Sequence, residues 1–477
     1  MSTSKQRTMR KIIKNIIYVA AIAMTLSACD SKLDIVPKGQ STLESVEDLE
    51  LLLNQEYDLS TMPYSDLGMI CNESLGACTS IPEMLSQPNT LDYAYLTYNE
   101  NVDRATLAQQ DARYEALYKY INNANVILDK ADDAEGDNNK RTIIKAQAQI
   151  LRAYFHYLLV NIYASQYEEA TAAKKGGIPY VTDIDVSKSK DKLTLKDTYD
   201  HILADCSDEV IAQLPKSTGD VFRPSQATGN AIRAKVLFQM KKYEEALPYA
   251  QAALQLNGQT EDRSTIAETG SWTVEQDSPN NYLAVKSSAR ANPFMETASA
   301  ETLAKFEDGD YVRNYDSMGW SEMFGQMMAG INGCAACFSM NACTTSYGIN
   351  ADRTYYLAAE CLIRTGNIRQ GLELIDNVRK KRVENYEKFT DIYDESKLNE
   401  QQAMALLQKA KWIECLGSYE NFFDCKRWNS EEAYKQTITR NLGEGLGTYS
   451  ISPESPLWVL PFPANAVRYN PTLTQNY

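Results

Sequence analysis

Two stretches of this 477-residue chain interleave aromatic rings with hydrogen-bonding side chains. One is "LDYAYLTYNE", with Tyr93, Tyr95, Tyr98 and Asn99; the other is "DYVRNYDSMGW", with Tyr311, Arg313, Asn314, Tyr315 and Trp320. A flat ring can cover the apolar C–H face of a sugar while nearby amides, guanidinium groups or carboxylates fix its hydroxyls. Trp320 leads as the stacking residue, ahead of Trp272 and Tyr282 in the same part of the chain. The competing use of such rings is to pack a loop onto a scaffold, and Tyr93 and Tyr95, two residues apart, also fit one face of an alternating strand. Other chemistry is poorly supplied. The two histidines are His156, inside an apolar run, and His201, on a charged helix, which leaves little to build a nucleophile and its base. No G-x-S-x-G elbow and no G-x-x-x-x-G-K-S/T phosphate loop occurs. With 63 acidic residues, two carboxylates at the spacing glycoside hydrolysis needs can arise anywhere, but solvated helix faces account for nearly all of them. The expectation is a chain with no catalytic residue, no cofactor and no metal site.

Lys5, Arg7, Arg10, Lys11 and Lys14 precede an apolar stretch from Ile16 to Leu26, the layout of an export signal. As a helix that stretch spans about 16 Å, too short for a hydrocarbon core of roughly 30 Å. It is followed by Leu26-Ser27-Ala28-Cys29, which resembles the lipobox of bacterial lipoproteins. The resemblance implies removal of residues 1–28 and palmitate-type acylation of Cys29, and two or more acyl chains hold a protein stably on a membrane. From Cys29 onward the chain has 43 basic and 63 acidic residues, a net charge of −20. Such a field repels phosphate, so nucleic acid is excluded as a partner. Beyond Cys29, nine cysteines remain: Cys71, Cys78, Cys206, Cys334, Cys337, Cys343, Cys361, Cys415 and Cys425. Cys71 with Cys78, or a pair within Cys334, Cys337 and Cys343, are the local disulfide candidates in an exported chain, and spacing does not fix the connectivity. Zinc at "GCAACFSMNAC" would need a fourth ligand, and neither histidine is near in sequence.

The elements that must position these residues read as helices. Ser45 can cap a helix with Asp48 at its third position, and further helices are expected near 110–130, 140–164 and 194–214. The run "ILRAYFHYLLVNIY" is apolar almost all round, as a helix buried inside a helical layer is, which makes His156 a packed histidine. Two segments resemble tetratricopeptide helical hairpins. In the first, Ala234 and Leu237 lead to Tyr243, Ala246, Ala250 and Ala253; in the second, Ala359 and Leu362 lead through Gly366 to Ile368, Gly371, Ile375 and Val378. Between about 258 and 349 the helical pattern gives way to Gly, Asn, Ser, Pro and aromatics, a long irregular insertion of the kind that carries function. From 443 to 477, Pro453, Pro456, Pro461, Pro463 and Pro471 predict an extended tail that buries Leu457, Trp458, Val459 and Leu460.

Several stretches together resemble the SusD/RagB family. They are the opening "CDSKLDIVPKGQSTLESVEDLELLLNQEY", the helix "AQAQILRAYFHYLLVNIYASQYEEA" with its "GGIPYV" exit, the element "ENFFDCKRWN", and the ending "LWVLPFPANAVRYNPTLTQN". The resemblance implies a mostly α fold: a tetratricopeptide-like scaffold over about 41–257 and 350–440, a loop-rich insertion over about 258–349 and a non-helical tail, all in one SusD-like domain of residues 29–477. It further implies a lipid-anchored protein exposed at the outer-membrane surface. Such a protein binds oligosaccharide and passes it to a SusC-like TonB-dependent transporter without catalysing a reaction. The alternatives are a peptide-capturing RagB-like lipoprotein, an all-α glycoside hydrolase, and a helical-repeat assembly lipoprotein. The cysteine-rich "GCAACFSMNAC" departs from the family pattern.

Overall fold

A computed structural model describes residues 43–54, 64–77, 80–185, 187–270, 272, 278–284, 296–316, 320–337, 348–394 and 397–477. The expected signal segment 1–28, Cys29, Cys78 and Cys343 lie outside these residues. At the first described helix, Ser45 and Asp48 form the expected reciprocal cap: the Asp48 N–H donates to Ser45 Oγ at 3.1 Å and the Ser45 N–H to Asp48 Oδ2 at 3.2 Å.

The centre of the molecule is the Asn138–Tyr163 helix, in which every residue from Ile150 to Tyr163 is buried. Its polar groups are matched by neighbours rather than by water. The Arg152 guanidinium meets Asp205 through Nε–Oδ2 at 2.6 Å and Nη2–Oδ1 at 2.7 Å, and donates to Asn125 Oδ1 at 2.8 Å. His156 donates from Nδ1 to the Arg152 carbonyl at 2.8 Å, accepts the Val181 N–H at Nε2 at 3.1 Å and stacks on Tyr180 at 3.8 Å. Burial lowers its pKa to about 3, so it is a neutral core histidine.

The two hairpins form as the spacing predicts, Gln226–Gln239 with Tyr243–Leu256 and Ala351–Arg364 with Ile368–Arg379. Small residues bring the pairs close. Ala234, Ala246 and Ala250 pack with Leu237, Leu357, Ala358 and Cys361 where the first hairpin meets the second. Gly366 makes the second turn at φ 85°, a conformation a side chain would strain. The second hairpin then buries Ala359, Ile363, Leu372, Ile375 and Val378 against Met404 and Leu407 of the Glu400–Glu414 helix.

The insertion holds more regular structure than its composition suggests. An antiparallel sheet runs in the order Ser74–Ala77, Glu296–Ala298, Ala335–Cys337 and Trp320–Ser321, so its first strand comes from far outside the insertion. Strands of two to four residues are too short to show an alternating pattern in sequence. The Glu322–Ala329 helix lies on this sheet. A Cβ at Gly325 would stand 2.4 Å from the Ala336 nitrogen, so the close approach requires glycine.

The tail buries Leu457, Trp458, Val459 and Leu460 as expected. It is not wholly extended, because Ala464–Tyr469 is helical with Pro463 as its N-cap and Pro456 opens a short 3-10 turn. Proline breaks a helix interior but suits the first turn, and the expectation used only the first effect. Cys71, Cys206, Cys361, Cys415 and Cys425 are buried free thiols, and the local pairing candidates Cys78 and Cys343 fall outside the described residues. Burial pushes the Cys206 thiol up to about 12, the condition of an inert structural cysteine.

Candidate functional site

The second aromatic segment folds as the Tyr311–Tyr315 helix, capped by Asp310, whose carboxylate accepts the Arg313 N–H at 3.0 Å. Tyr311 is half-buried with its ring 6.1 Å from that of Tyr315, and the Tyr315 hydroxyl donates to Glu384 Oε2 at 2.7 Å. Arg313 pairs with Glu322, and Asn314 is exposed. Asp316, directly after this helix, accepts the backbone N–H of Trp272 at 3.2 Å. The Trp272 ring lies under the Arg263 guanidinium at 4.4 Å, and its Nε1–H donates to Glu261 at 2.9 Å. Trp320 sits in the edge strand of the insertion sheet, paired through its backbone with Cys337, and its side chain lies outside the described part. Tyr311, Arg313, Asn314, Tyr315, Trp272 and Trp320 therefore belong to one region of the insertion.

Three expected site residues belong to the core instead. Tyr282 is 4% exposed, and its hydroxyl donates to the Asn257 carbonyl. Tyr95 and Tyr98 are 2% and 6% exposed, and Arg440 covers the Tyr98 ring at 4.4 Å. The segment "LDYAYL" is neither loop nor strand. Thr90 caps it as the Leu91–Leu96 helix, which turns Ala94, Tyr95 and Leu96 inward. Tyr93 and Asn99 are left half-buried at its edge, and the Asn99 side chain accepts the Asn101 N–H at 3.0 Å.

Two cavities had no counterpart in the sequence reading. One, of about 800 Å³, lies beside the tail and includes Lys426, Asn429 and Asn476. Lys426 donates to the Asn161 and Ala164 carbonyls at 2.5 and 2.7 Å, and burial brings its pKa down to about 7. Asn476 donates to the Tyr163 and Gly177 carbonyls, both at 2.8 Å, and Gln475 brackets the backbone of Phe462. The closing motif is thus a clamp that fixes the tail to the central helix. The other cavity, of about 520 Å³, is lined by Asn72, Glu301, Lys305, Gln408, Lys409 and Trp412 among others. These residues come from separate stretches of the chain, so no local spacing brings them together.

Two carboxylic acids with raised pKa adjoin the insertion sheet. Burial pushes Glu73 to about 7 and Glu296 to about 8, and for Glu296 the neighbouring Glu73 adds to the effect. Glu73 accepts from the Gly417 N–H at 2.7 Å and Asn421 Nδ2 at 2.6 Å, while Glu296 accepts from Ser65 and from Ser74 Oγ at 2.9 Å. Each is 1% exposed, so the pair is sealed away from any glycosidic bond.

Residues 38–238 match the family described as "Starch-binding associating with outer membrane", and residues 351–477 match the "SusD family". The chain belongs to the SusD/RagB family. Neither match reaches residues 239–350, which contain the whole insertion. Solved structures with the same fold include a SusD superfamily protein of Bacteroides fragilis, with a TM-score of 0.68, 15% identity and coverage of 91% of this chain and 100% of that one. A SusD superfamily protein of Bacteroides thetaiotaomicron gives 0.67 at 14% identity, covering 91% and 100% of the two chains. A SusD-like carbohydrate binding protein of Bacteroides vulgatus gives 0.66 at 15% identity, covering 90% and 97%. No curated protein sequence matches the chain.

Proposed function

We propose that this protein is a lipid-anchored, outer-membrane surface protein that binds nutrient glycan and delivers it to a SusC-like TonB-dependent transporter without turning it over. The observation that carries the reading is membership of the SusD/RagB family on matches to both helical halves of the scaffold. Supporting it, Leu26-Ser27-Ala28-Cys29 supplies the anchor, and among the described residues no helix is long and apolar enough to cross a membrane. The proposed glycan surface is the insertion region of Trp320, Tyr311, Arg313, Asn314, Tyr315 and Trp272. Tyr93 and Asn99, on the Leu91–Leu96 helix and just after it, are kept as outlying candidates. The direct test is titration of the purified mature protein with a panel of neutral oligosaccharides. Saturable binding with no release of reducing ends is expected, whereas hydrolysis abolished by one Asp or Glu substitution overturns the reading. Mass spectrometry of the native protein should find an acylated Cys29, and Cys29→Ala should free it from the membrane.

One observation favours a peptide ligand as the second reading. On the Glu322–Ala329 helix, immediately after Trp320, Met323 and Met327 are 69% and 65% exposed, and Phe324 and Met328 are also exposed. A flexible, Met-rich surface adapts to varied apolar side chains. Saturable binding of a peptide library that oligosaccharides do not displace would decide for it.

A further inference from the structure

We propose that the cavity of about 520 Å³ beside the Glu400–Glu414 helix is a second binding site, and that it takes an acidic sugar, a pyranose bearing a carboxylate or a sulfate. Its volume falls in the range of small-molecule sites. One wall is rigid: Trp412 is 7% exposed, and its indole N–H donates to Thr302 Oγ1 at 3.1 Å. Lys305 extends over this ring, with its ammonium 5.0 Å from the ring centroid. Burial lowers the Lys305 pKa from that of an ordinary lysine, which means that its charge has given up part of its hydration.

The cavity also lacks the counter-charge found elsewhere in the protein. On the same helix, Lys411 is paired with Asp424 at 2.6 Å, and nearby Lys235 with Glu420 at 2.7 Å. Among the described residues neither Lys305 nor Lys409 has such a partner, in a chain with 63 acidic residues. Glu301 lines the cavity as well and eases the Lys305 charge without pairing with it. Two ammonium groups against one carboxylate leave a positive pocket in a protein of net charge −15. A bound carboxylate or sulfate would restore the solvation Lys305 has lost through charge-assisted hydrogen bonds. The amides of Gln408 and Gln436 stand on the same cavity for hydroxyl groups.

The test is calorimetric titration of the mature protein with galacturonate, galactose 6-sulfate and galactose. Both acidic sugars, or one of them, should bind at least about tenfold more tightly than galactose, and the ratio of the two identifies the preferred anion. Lys305→Gln should weaken acidic-sugar binding about tenfold, Lys305→Arg should retain most of it, and Glu301→Gln should strengthen it about threefold. Raising the salt should weaken binding in the native protein more than in Lys305→Gln. The cavity lining shares no residue with the proposed neutral-glycan surface, so Trp320→Ala should leave acidic-sugar affinity unchanged. No binding of either acidic sugar, equal binding of galactose, or undiminished affinity in the folded Lys305→Gln, Lys409→Gln double variant would overturn the proposal.

Discussion

Arg427, buried beneath the second hairpin, and Arg313, on the insertion, each meet a glutamate, and the two settings differ in almost every respect. Arg427 and Glu360 are 0% exposed, joined through Nη1–Oε1 at 2.6 Å and Nη2–Oε2 at 3.0 Å, and Asp424 and the Trp428 indole complete the cluster. Burial works against the Glu360 carboxylate, but the Arg427 guanidinium together with Lys411 and the Trp428 indole outweighs it and holds the pKa below the ordinary value. Arg313 and Glu322 are 27% and 52% exposed, where water competes for both charges. At the Arg427 cluster the scaffold has committed its polar groups to one another, which fixes a single geometry. The insertion leaves Asn314, the rim of Tyr311 and the Met323 face open to something else. Arg427 and Glu360 lie in a part matched by the family, and Arg313, Asn314 and Met323 in the part that is not.

The largest expected effect tests the committed side. Glu360→Ala removes the bidentate partner of the buried Arg427 guanidinium, leaving it with Asp424, and takes away the acceptor of the Trp428 indole, so it should cost about 3 kcal/mol or more of stability by chemical denaturation. Glu322→Ala should cost less than about 1 kcal/mol. Equal losses in the two variants would erase the contrast.

A second measurement examines the seam where the insertion sheet joins the scaffold. Glu296 has an unfolded-state pKa near 4.5 and a folded value of about 8, with Glu73 moving from 4.5 to about 7 in the same direction. Above pH 4.5 the unfolded chain releases these protons while the folded protein retains them. The contribution of this pair to stability should therefore fall as the pH rises from 4.5 to 8. Glu296→Gln should flatten that fall and raise stability at pH 8 by on the order of 2 to 4 kcal/mol. A melting temperature with the same pH dependence in both proteins would rule this out.

Gly371→Ala sharpens the packing side of the comparison. The added Cβ would meet Ile363 Cγ1 at 2.6 Å and the Ala359 carbonyl oxygen at 2.9 Å, one of them backbone. Overpacking of this kind should lower stability by about 1 to 3 kcal/mol. A wild-type melting temperature in the variant would mean that the hairpin yields more readily than its contacts imply.

The smallest effect on folding is expected from Trp320→Ala, which should leave the circular dichroism spectrum and melting temperature nearly unchanged. Affinity for the cognate neutral glycan should drop about tenfold, the worth of one stacked ring. Unchanged affinity removes Trp320 from the site, and a large loss of stability makes it a core residue.

Ala246, Ala253, Gly366 and Ile375 could be placed in hairpins from sequence because their neighbours lie three or four positions away, and a local period encodes a local contact. His156 could be placed in the core for the same reason, since the apolar run around it covers a whole helix surface. What local spacing cannot encode is contact across the chain. Tyr95 and Tyr98 have the composition of a binding loop, yet Arg440, more than three hundred residues away, covers one of them. The 520 Å³ cavity joins Asn72, Lys305 and Trp412, none of which carries a signal at its own position. Helical class and repeat architecture follow from short-range hydropathy and turn chemistry, so the sequence by itself determined them. Which aromatics face outward, and which lysines are left without a counter-charge, depends on how distant helices close over one another, and only the tertiary structure decided that.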